Sequence, residues 1–376
     1  MATAGQAPLR ILMTSPPLSG RGGVSQYFRA VRPHLHSEID YFTIGSRSDA
    51  DRLGQSVVRL ARDSWHFTRK LMRGQHQIVH LNPSLRSKAL IRDGLLLLIA
   101  KILGRTAVVF THGWDKRCER ALAHALLPLF RYVYFRADAF IVLGKEFERS
   151  LRSLGYRKAI FVEGAPIEDE LMTEQNEAQH TRPVSERRFR ILFLARMERQ
   201  KGVYEALETY RILQRTHPFV EMTMAGAGPE LDRARGYAMS SGLAKVEFPG
   251  HLQGVAKRRA FQTADAYLFP SWAEGLPISV LEAMAQGLPL VACAVGGLPD
   301  FFQNGKMGFL AERREPEVLA SLLSELITNP LLCLDIAHFN REYAREHFRP
   351  TQIAARLEDI YRIVHAGAHW VRPHQG

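Results

Sequence analysis

Short apolar runs alternate with longer amphipathic stretches along almost the whole chain. The first run is Arg10-Ile11-Leu12-Met13-Thr14. A loop rich in Pro and Gly follows, and residues 24–35 carry a helical period. Further runs at 39–44, 78–81, 107–110, 138–143 and 159–162 predict strands. Helical patterns fall between them at 52–73, 87–103, 116–136 and 145–154. A polar, acidic stretch without periodicity then interrupts the pattern. The alternation restarts with strands at 189–194, 220–224, 246–248, 266–269, 290–292 and 307–310. Helices are predicted over 203–216, 255–263, 316–327, 332–347 and 351–366. Strands alternating with helices predict parallel sheets covered on both faces. The restart predicts two α/β domains, 1–165 and 189–350, with a linker at 166–188. Tandem domains of this kind leave the cleft between them as the natural ligand site.

One stretch carries more chemistry than the rest, Phe269-Pro270-Ser271-Trp272-Ala273-Glu274-Gly275-Leu276-Pro277-Ile278-Ser279-Val280-Leu281-Glu282. The pattern reads as strand, turn and helix, with Pro277 suited to a first helical turn. Glu274 then sits on the loop at a strand's carboxyl end and Glu282 early in the helix. Ligands bind at that edge of an open α/β sheet. Helix amides there suit a phosphate, and carboxylates suit sugar hydroxyls. A plain turn with two exposed acids has the same local sequence, so the rest of the chain must decide.

The 376 residues are 46% hydrophobic and 23% charged, the balance of a globular protein. Cys118, Cys293 and Cys333 are far apart and lack metal or redox spacing, which suits a reducing compartment. No apolar run is long enough to span a bilayer, and 10–17 do not read as a leader. A cytoplasmic protein is expected. The net charge of +12 is uneven: residues 1–160 hold 26 Lys+Arg and 11 Asp+Glu, whereas residues 161–376 hold 24 and 27. The basic first half points to an acidic partner. Apolar helical patterns at 85–103 and 116–136, with aromatics in the latter, suit a membrane interface. No nucleic-acid recognition motif accompanies the charge.

Other motifs are weaker. Asp49-Ala50-Asp51 has the form of a metal–diphosphate motif, but such acids at a helix start are common for dipole reasons alone. Gly226-Ala227-Gly228 lacks the third glycine of a dinucleotide fingerprint. His112 ends a strand beside Gly113 and is expected at the ligand edge, with Asp115 as a cap for the next helix.

The second half resembles glycosyltransferase family 4, the retaining, nucleotide-sugar-dependent enzymes of GT-B fold. The resemblance rests on an ordered set: Leu194-Ala195-Arg196-Met197 with Lys201-Gly202, Ala225-Gly226-Ala227-Gly228-Pro229-Glu230, Phe248-Pro249-Gly250, the stretch around Glu274 and Glu282, and Gly296-Gly297-Leu298-Pro299-Asp300. The first half fits more loosely, through Gly22-Gly23-Val24, Val79-His80 and Thr111-His112-Gly113.

The resemblance implies two Rossmann-like domains facing each other across a cleft, with the last helix, about 351–376, packed back on the first domain. It implies transfer of a sugar from a UDP- or GDP-sugar to a hydroxyl of a glycan or lipid-linked glycan, without cofactor or metal. Arg196 and Lys201 would neutralise the leaving diphosphate, the sort of charge stabilisation that is often the largest catalytic term. The amides of Gly22 and Gly23 would close on it. Glu274 would hold the sugar's hydroxyls, with Gly275, Leu276 and Pro277 lying along sugar and phosphate. Glu282 would bind the ribose, Gly226 would line the donor site, and Leu252 would meet the base. His112 would stand at the sugar's reacting end. Two departures are visible: Glu163-Gly164 where the family often has Asn-Gly, and Asp300 where Glu is usual. The rival readings are a non-catalytic nucleotide-sugar-binding subunit and an epimerase of the same fold.

Overall fold

The computed structural model describes residues 8–20, 22–44, 53–83, 87–113, 126–172 and 188–367. Asp49, Asp51, Asp115, residues 116–125, most of the linker and the tail from 368 lie outside them. The chain divides into two compact units: residues 1–166 with 350–376, and residues 167–349.

The first unit is built on a six-stranded sheet of order β2-β1-β3-β4-β5-β6. Its strands are β1 (Arg10–Ser15), β2 (Glu38–Thr43), β3 (Ile78–Leu81), β4 (Thr106–Thr111), β5 (Ala139–Val142) and β6 (Ala159–Val162). All five pairings are parallel. Parallel central strands are covered on both faces, which is why β3 and β5 are buried at every residue. Their connections are helices α1 (Gly23–Val31), α2 (Leu53–Arg73), α3 (Ser87–Ile102), α4 (Leu127–Tyr134) and α5 (Lys145–Ser153). The first helix is shorter than its period predicts. After Val31 the chain tightens into a 3₁₀ turn, Arg32–His34, because Pro33 cannot donate to a continuing helix.

The second unit has strand order β12-β11-β10-β7-β8-β9. These are β7 (Phe189–Leu194), β8 (Val220–Ala225), β9 (Val246–Gly250), β10 (Ala266–Phe269), β11 (Leu290–Cys293) and β12 (Gly308–Ala311). Helices α6 (Val203–Thr216), α7 (Leu231–Ser240), α8 (Gly254–Thr263) and α9 (Ile278–Ala285) connect them, and α10 (Pro316–Thr328) and α11 (Pro330–His347) follow the sheet. All pairings are again parallel. The last helix, α12 (Pro350–His365), returns to the first unit. It buries Ile353, Leu357 and Tyr361 there. Its Glu358 carboxylate accepts from the amides of His36 and Ser37 and from the Ser37 hydroxyl, at 2.7–2.9 Å.

Each sheet reverses its order at one point, and there the loops after adjacent strands leave in opposite directions and open a crevice. In the first unit the reversal is between β1 and β3. In the second it is between β7 and β10. The topology thus selects the loops after β1 and β3 in one unit, beside which the loop after β4 follows in sheet order, and those after β7 and β10 in the other.

Candidate functional site

The second unit gathers the larger cluster. Lys201 lies in a 3₁₀ turn, Arg199–Lys201, on the loop after β7. Its ammonium meets Glu274 Oε1 at 2.6 Å. The Ser271 hydroxyl donates to the same oxygen at 2.6 Å. Among the described residues no hydrogen bond engages the other carboxylate oxygen. Lysine has three N–H donors, so two remain for a ligand. The Lys201 and Glu274 side chains are only 12% and 11% exposed. Two partly dried, opposite charges at this distance attract each other strongly, and each still offers polar capacity to the crevice.

The loops are locked by backbone contacts. The Trp272 amide donates to the Gln200 carbonyl at 2.9 Å, and the Gly297 amide to the Gly275 carbonyl at 2.8 Å. Two glycines are indispensable to this arrangement. Gly202 turns at φ +78°, and a Cβ there would stand 2.2 Å from the Pro270 carbonyl oxygen. Gly296, at φ +58°, would place one 2.1 Å from the Gly275 carbonyl oxygen. Neither position admits another residue without moving the loop that carries Glu274.

Glu282 lies in α9 with its side chain 1% exposed, and Lys257 of α8 donates to its Oε1. The carboxylate expected at the ribose is therefore a buried, charge-paired group. Pro277 caps α9, and Gly275, Leu276 and Pro277 are buried along the approach to its first turn. The Val280 amide already donates to the Pro277 carbonyl at 3.0 Å, so the first-turn amides without an intrahelical acceptor are those of Ile278 and Ser279.

Arg196 is on the same loop as Lys201 but is more than half exposed. Its guanidinium pairs with Glu198, which also accepts from the Gln200 amide at 2.9 Å. Gly226 is at the same sheet edge, yet its amide is committed to the Gly250 carbonyl at 2.8 Å. Leu252 is half-buried on the loop between β9 and α8. Asp300 ends a 3₁₀ turn, Leu298–Asp300, after β11.

The first unit places Gly22 at the N-cap of α1, with Gly23 as its first residue. The space around both α-carbons is open. His112 follows β4 and is half-buried. Its ring lies 3.9 Å from that of Phe110 and edge-on to Tyr27 and Phe28. The Asn82 amide organises the surroundings. Its nitrogen donates to the Thr14 carbonyl at 2.6 Å, which turns Oδ1 toward two imidazoles. His112 Nε2 lies 2.9 Å and His80 Nε2 3.1 Å from that oxygen. An amide oxygen only accepts, so both rings carry their proton on Nε2. His80 Nδ1 then accepts from the Tyr361 hydroxyl at 2.8 Å, and His112 Nδ1 is left as an acceptor. Burial holds both histidines neutral, each pushed down to about 3. The other imidazole's charge further lowers His112, and the Asn82 contact partly opposes the shift in His80.

Sequence reasoning missed Ser271, Lys257, Asn82 and Tyr361 as parts of these clusters. Ser271 stood inside the highlighted stretch. Lys257 opens Lys257-Arg258-Arg259, which has the look of a solvated basic face. Among the described residues, no three His, Cys, Asp or Glu side chains are grouped to hold a metal ion.

Comparisons with known proteins bear on this geometry. Residues 174–347 match the family model described as Glycosyl transferases group 1. Over 187 residues the chain is 30% identical to glycogen synthase of Mycobacterium tuberculosis, covering 49% of this chain and 44% of that one. Over 184 residues it is 30% identical to the amylovoran biosynthesis glycosyltransferase AmsK of Erwinia amylovora, covering 46% and 45%. The chain spans about half the length of the curated relatives it matches. The structure of HepE from Anabaena in complex with UDP-glucose superposes with a TM-score of 0.74 at 17% identity, covering 94% of this chain and 99% of that one. The fold is GT-B, two units each with a six-stranded parallel sheet.

Proposed function

We propose that the chain is a retaining glycosyltransferase of family 4. It moves a sugar from a UDP- or GDP-sugar to a hydroxyl of a glycan or lipid-linked glycan, in cell-surface polysaccharide or glycolipid biosynthesis. The observation that carries this reading is the Lys201–Glu274–Ser271 cluster at the switch point of the second unit, within the stretch that matches the transferase family. The names of the relatives, which concern glycogen and amylovoran, and the UDP-glucose bound to HepE support the same class.

In this reading Lys201 keeps its contact with Glu274 and turns its remaining donors to the diphosphate, with Arg196 adding charge from the rim. Preorganised cations act on the leaving group as its charge grows, so the chemistry needs neither metal nor cofactor. Glu274 accepts from the sugar's hydroxyls through its unengaged oxygen, while Ser271 and Lys201 fix the other. The Ile278 and Ser279 amides at the start of α9, behind Gly275-Leu276-Pro277, receive phosphate. Glu282, fixed by Lys257, accepts from the ribose. In the first unit His112 presents Nδ1 as an acceptor to the transferred sugar, and Gly22 and Gly23 offer amides to phosphate. The acceptor oxygen bonds to the anomeric carbon on the face from which the diphosphate oxygen departs. The acceptor's proton passes to that departing oxygen, and the configuration is retained.

A screen of UDP-, GDP- and ADP-sugars for binding, followed by nucleotide release from the sugar that binds, tests the proposal. Release that needs Glu274 and Lys201 and yields a sugar–acceptor product supports it. Binding without turnover would assign the chain to a non-catalytic subunit, and epimerised donor without acceptor to an epimerase.

A further inference from the structure

Three neighbouring helices of the first unit expose apolar residues where a protein facing water alone would carry charge. The outward stripe of α2 runs Val58, Arg62, Trp65, Arg69, Met72, at helical steps of four and three. Trp65 and Met72 are 57% and 67% exposed, while Phe67 and Leu71 on the opposite face fill the core. The next helix, α3, is apolar nearly all round. Ala89, Leu96, Leu97 and Ala100 are buried, yet Ile91, Leu95 and Ile102 face out, Ile102 at 82%. A helix of that composition is ordinarily buried on every side. Beside it α4 buries Phe130 and Tyr134 and exposes Leu129 and Tyr132. Exposed apolar side chains grouped on adjacent helices, unlike scattered single ones, mark a binding surface.

The charge on the same helices has one sign. Residues 53–73, 87–102 and 127–136 hold ten Lys and Arg against Asp63 and Asp93. Asp93 is buried on Arg92, and Asp40 of β2 and Asp138, just before β5, pair with Lys70 and Lys101. Two arginines instead lie over the exposed aromatics, Arg69 over Trp65 at 5.3 Å and Arg136 over Tyr132 at 4.7 Å. A guanidinium beside an exposed aromatic, flanked by aliphatic side chains, matches the layering of a lipid interface: acyl chains below, anionic headgroups above. Among the described residues no single helix is long and apolar enough to cross a bilayer, so such contact is interfacial.

We infer that the α2–α3–α4 face is a docking surface for an anionic lipid membrane, inserted through Trp65, Ile91, Ile102, Leu129 and Tyr132 and held by the arginines around them. The inference is independent of the transferase reading, since it concerns a surface and not the donor cluster.

Sedimentation of the full chain with vesicles tests it, using phosphatidylcholine alone and phosphatidylcholine with about one-third phosphatidylglycerol. Binding is expected to the anionic vesicles only, and to weaken at least about tenfold between about 0.05 and 0.5 M salt. Ile102→Glu is expected to lower it about tenfold or more with an unchanged Tm, since a charge replaces an inserted apolar side chain. Trp65→Glu supplies the same test on another helix if the first variant folds poorly. Met239→Glu, at a site 84% exposed in the second unit, is expected to bind as the parent does. No binding at low salt, or equal binding by parent, Ile102→Glu and Trp65→Glu, would overturn the inference. So would a concentration-dependent dimer abolished by Ile102→Glu without vesicle binding, which would give the face to a second copy.

Discussion

The Asn82 amide between two imidazoles sets the chemistry of His112, and Asn82→Asp isolates that effect. The substitution keeps the shape and replaces a neutral acceptor with a carboxylate. With oxygen–nitrogen contacts of 2.9 and 3.1 Å, the new charge would sit about 4 Å from each imidazolium centre. At an effective dielectric of about 20 the attraction is about 4 kcal/mol, or about three pKa units. Both histidines start at about 3. The first to protonate would therefore move to about 6, and its charge would hold the other down. Where His112 is the one that protonates, it loses its Nδ1 acceptor through the acid part of the working range.

The sign for the parent protein follows from the same numbers. A folded-state value of about 3 for fully buried His80 lies below the unfolded value of about 6.5. The stability it contributes is complete above the unfolded value and is lost as pH falls through that range toward 3. For one histidine the total is at most about 5 kcal/mol. Asn82→Asp shrinks this dependence. It also loses the donor to the Thr14 carbonyl and costs about 1–3 kcal/mol at neutral pH. Carbon–proton NMR of ¹³C-histidine protein, assigned with His80→Gln and His112→Gln, reads the titrations without any substrate. The parent's two resonances are expected to be flat from pH 5 to 8, and one is expected to titrate near 6 in the variant. Two flat resonances in a folded variant would refute the electrostatic reasoning. A parent His112 that titrates near 6.5 would refute its enforced neutrality.

Other consequences are checked more simply. Glu274→Gln keeps the size of the side chain but removes the anion proposed to meet the donor sugar, and is expected to slow nucleotide release about 100-fold or more, measured at saturating donor. Gly296→Ala is expected to destabilise the second unit by more than about 1 kcal/mol and to weaken donor binding, because its Cβ drives into the loop carrying Glu274; urea denaturation and donor titration read the two effects. Glu358→Ala removes three hydrogen bonds to a buried carboxylate and is expected to cost on the order of 3 kcal/mol, seen as a lower Tm. The Cys293 thiol is buried and pushed up to about 12, so its peptide is expected to remain unlabelled by maleimide at pH 8 until denaturant is added.

Most of the architecture was legible because its causes are local. Val203–Thr216 and Ala266–Phe269 have the bounds that their hydrophobic periods predict. The end of α1 shifted because Pro33 acts within one turn, a detail that periodicity over a longer window averages away. The site was legible only where chemistry and turn signals coincide in one stretch. Glu274, Gly275 and Pro277 announce themselves in that way, and Ser271 travels with them. Lys257 and Asn82 do not. Each acts on a residue from another element, Lys257 on Glu282 and Asn82 on His112, with separations of 25 and 30 residues. Nothing near either residue encodes that partner; the register of the sheet and the packing of α8 against the fold create it. The same reasoning explains Gly226. The family resemblance would place it along the donor site, but the partner that claims its amide, Gly250, comes from the neighbouring strand end. Local pattern identifies what a residue can do, and tertiary pairing decides which capacity is still available to a ligand. By that criterion Lys201 and Glu274 are stronger candidates for a ligand contact than Gly226: their partners leave donors and an oxygen unspent, whereas a backbone amide has only one proton to give.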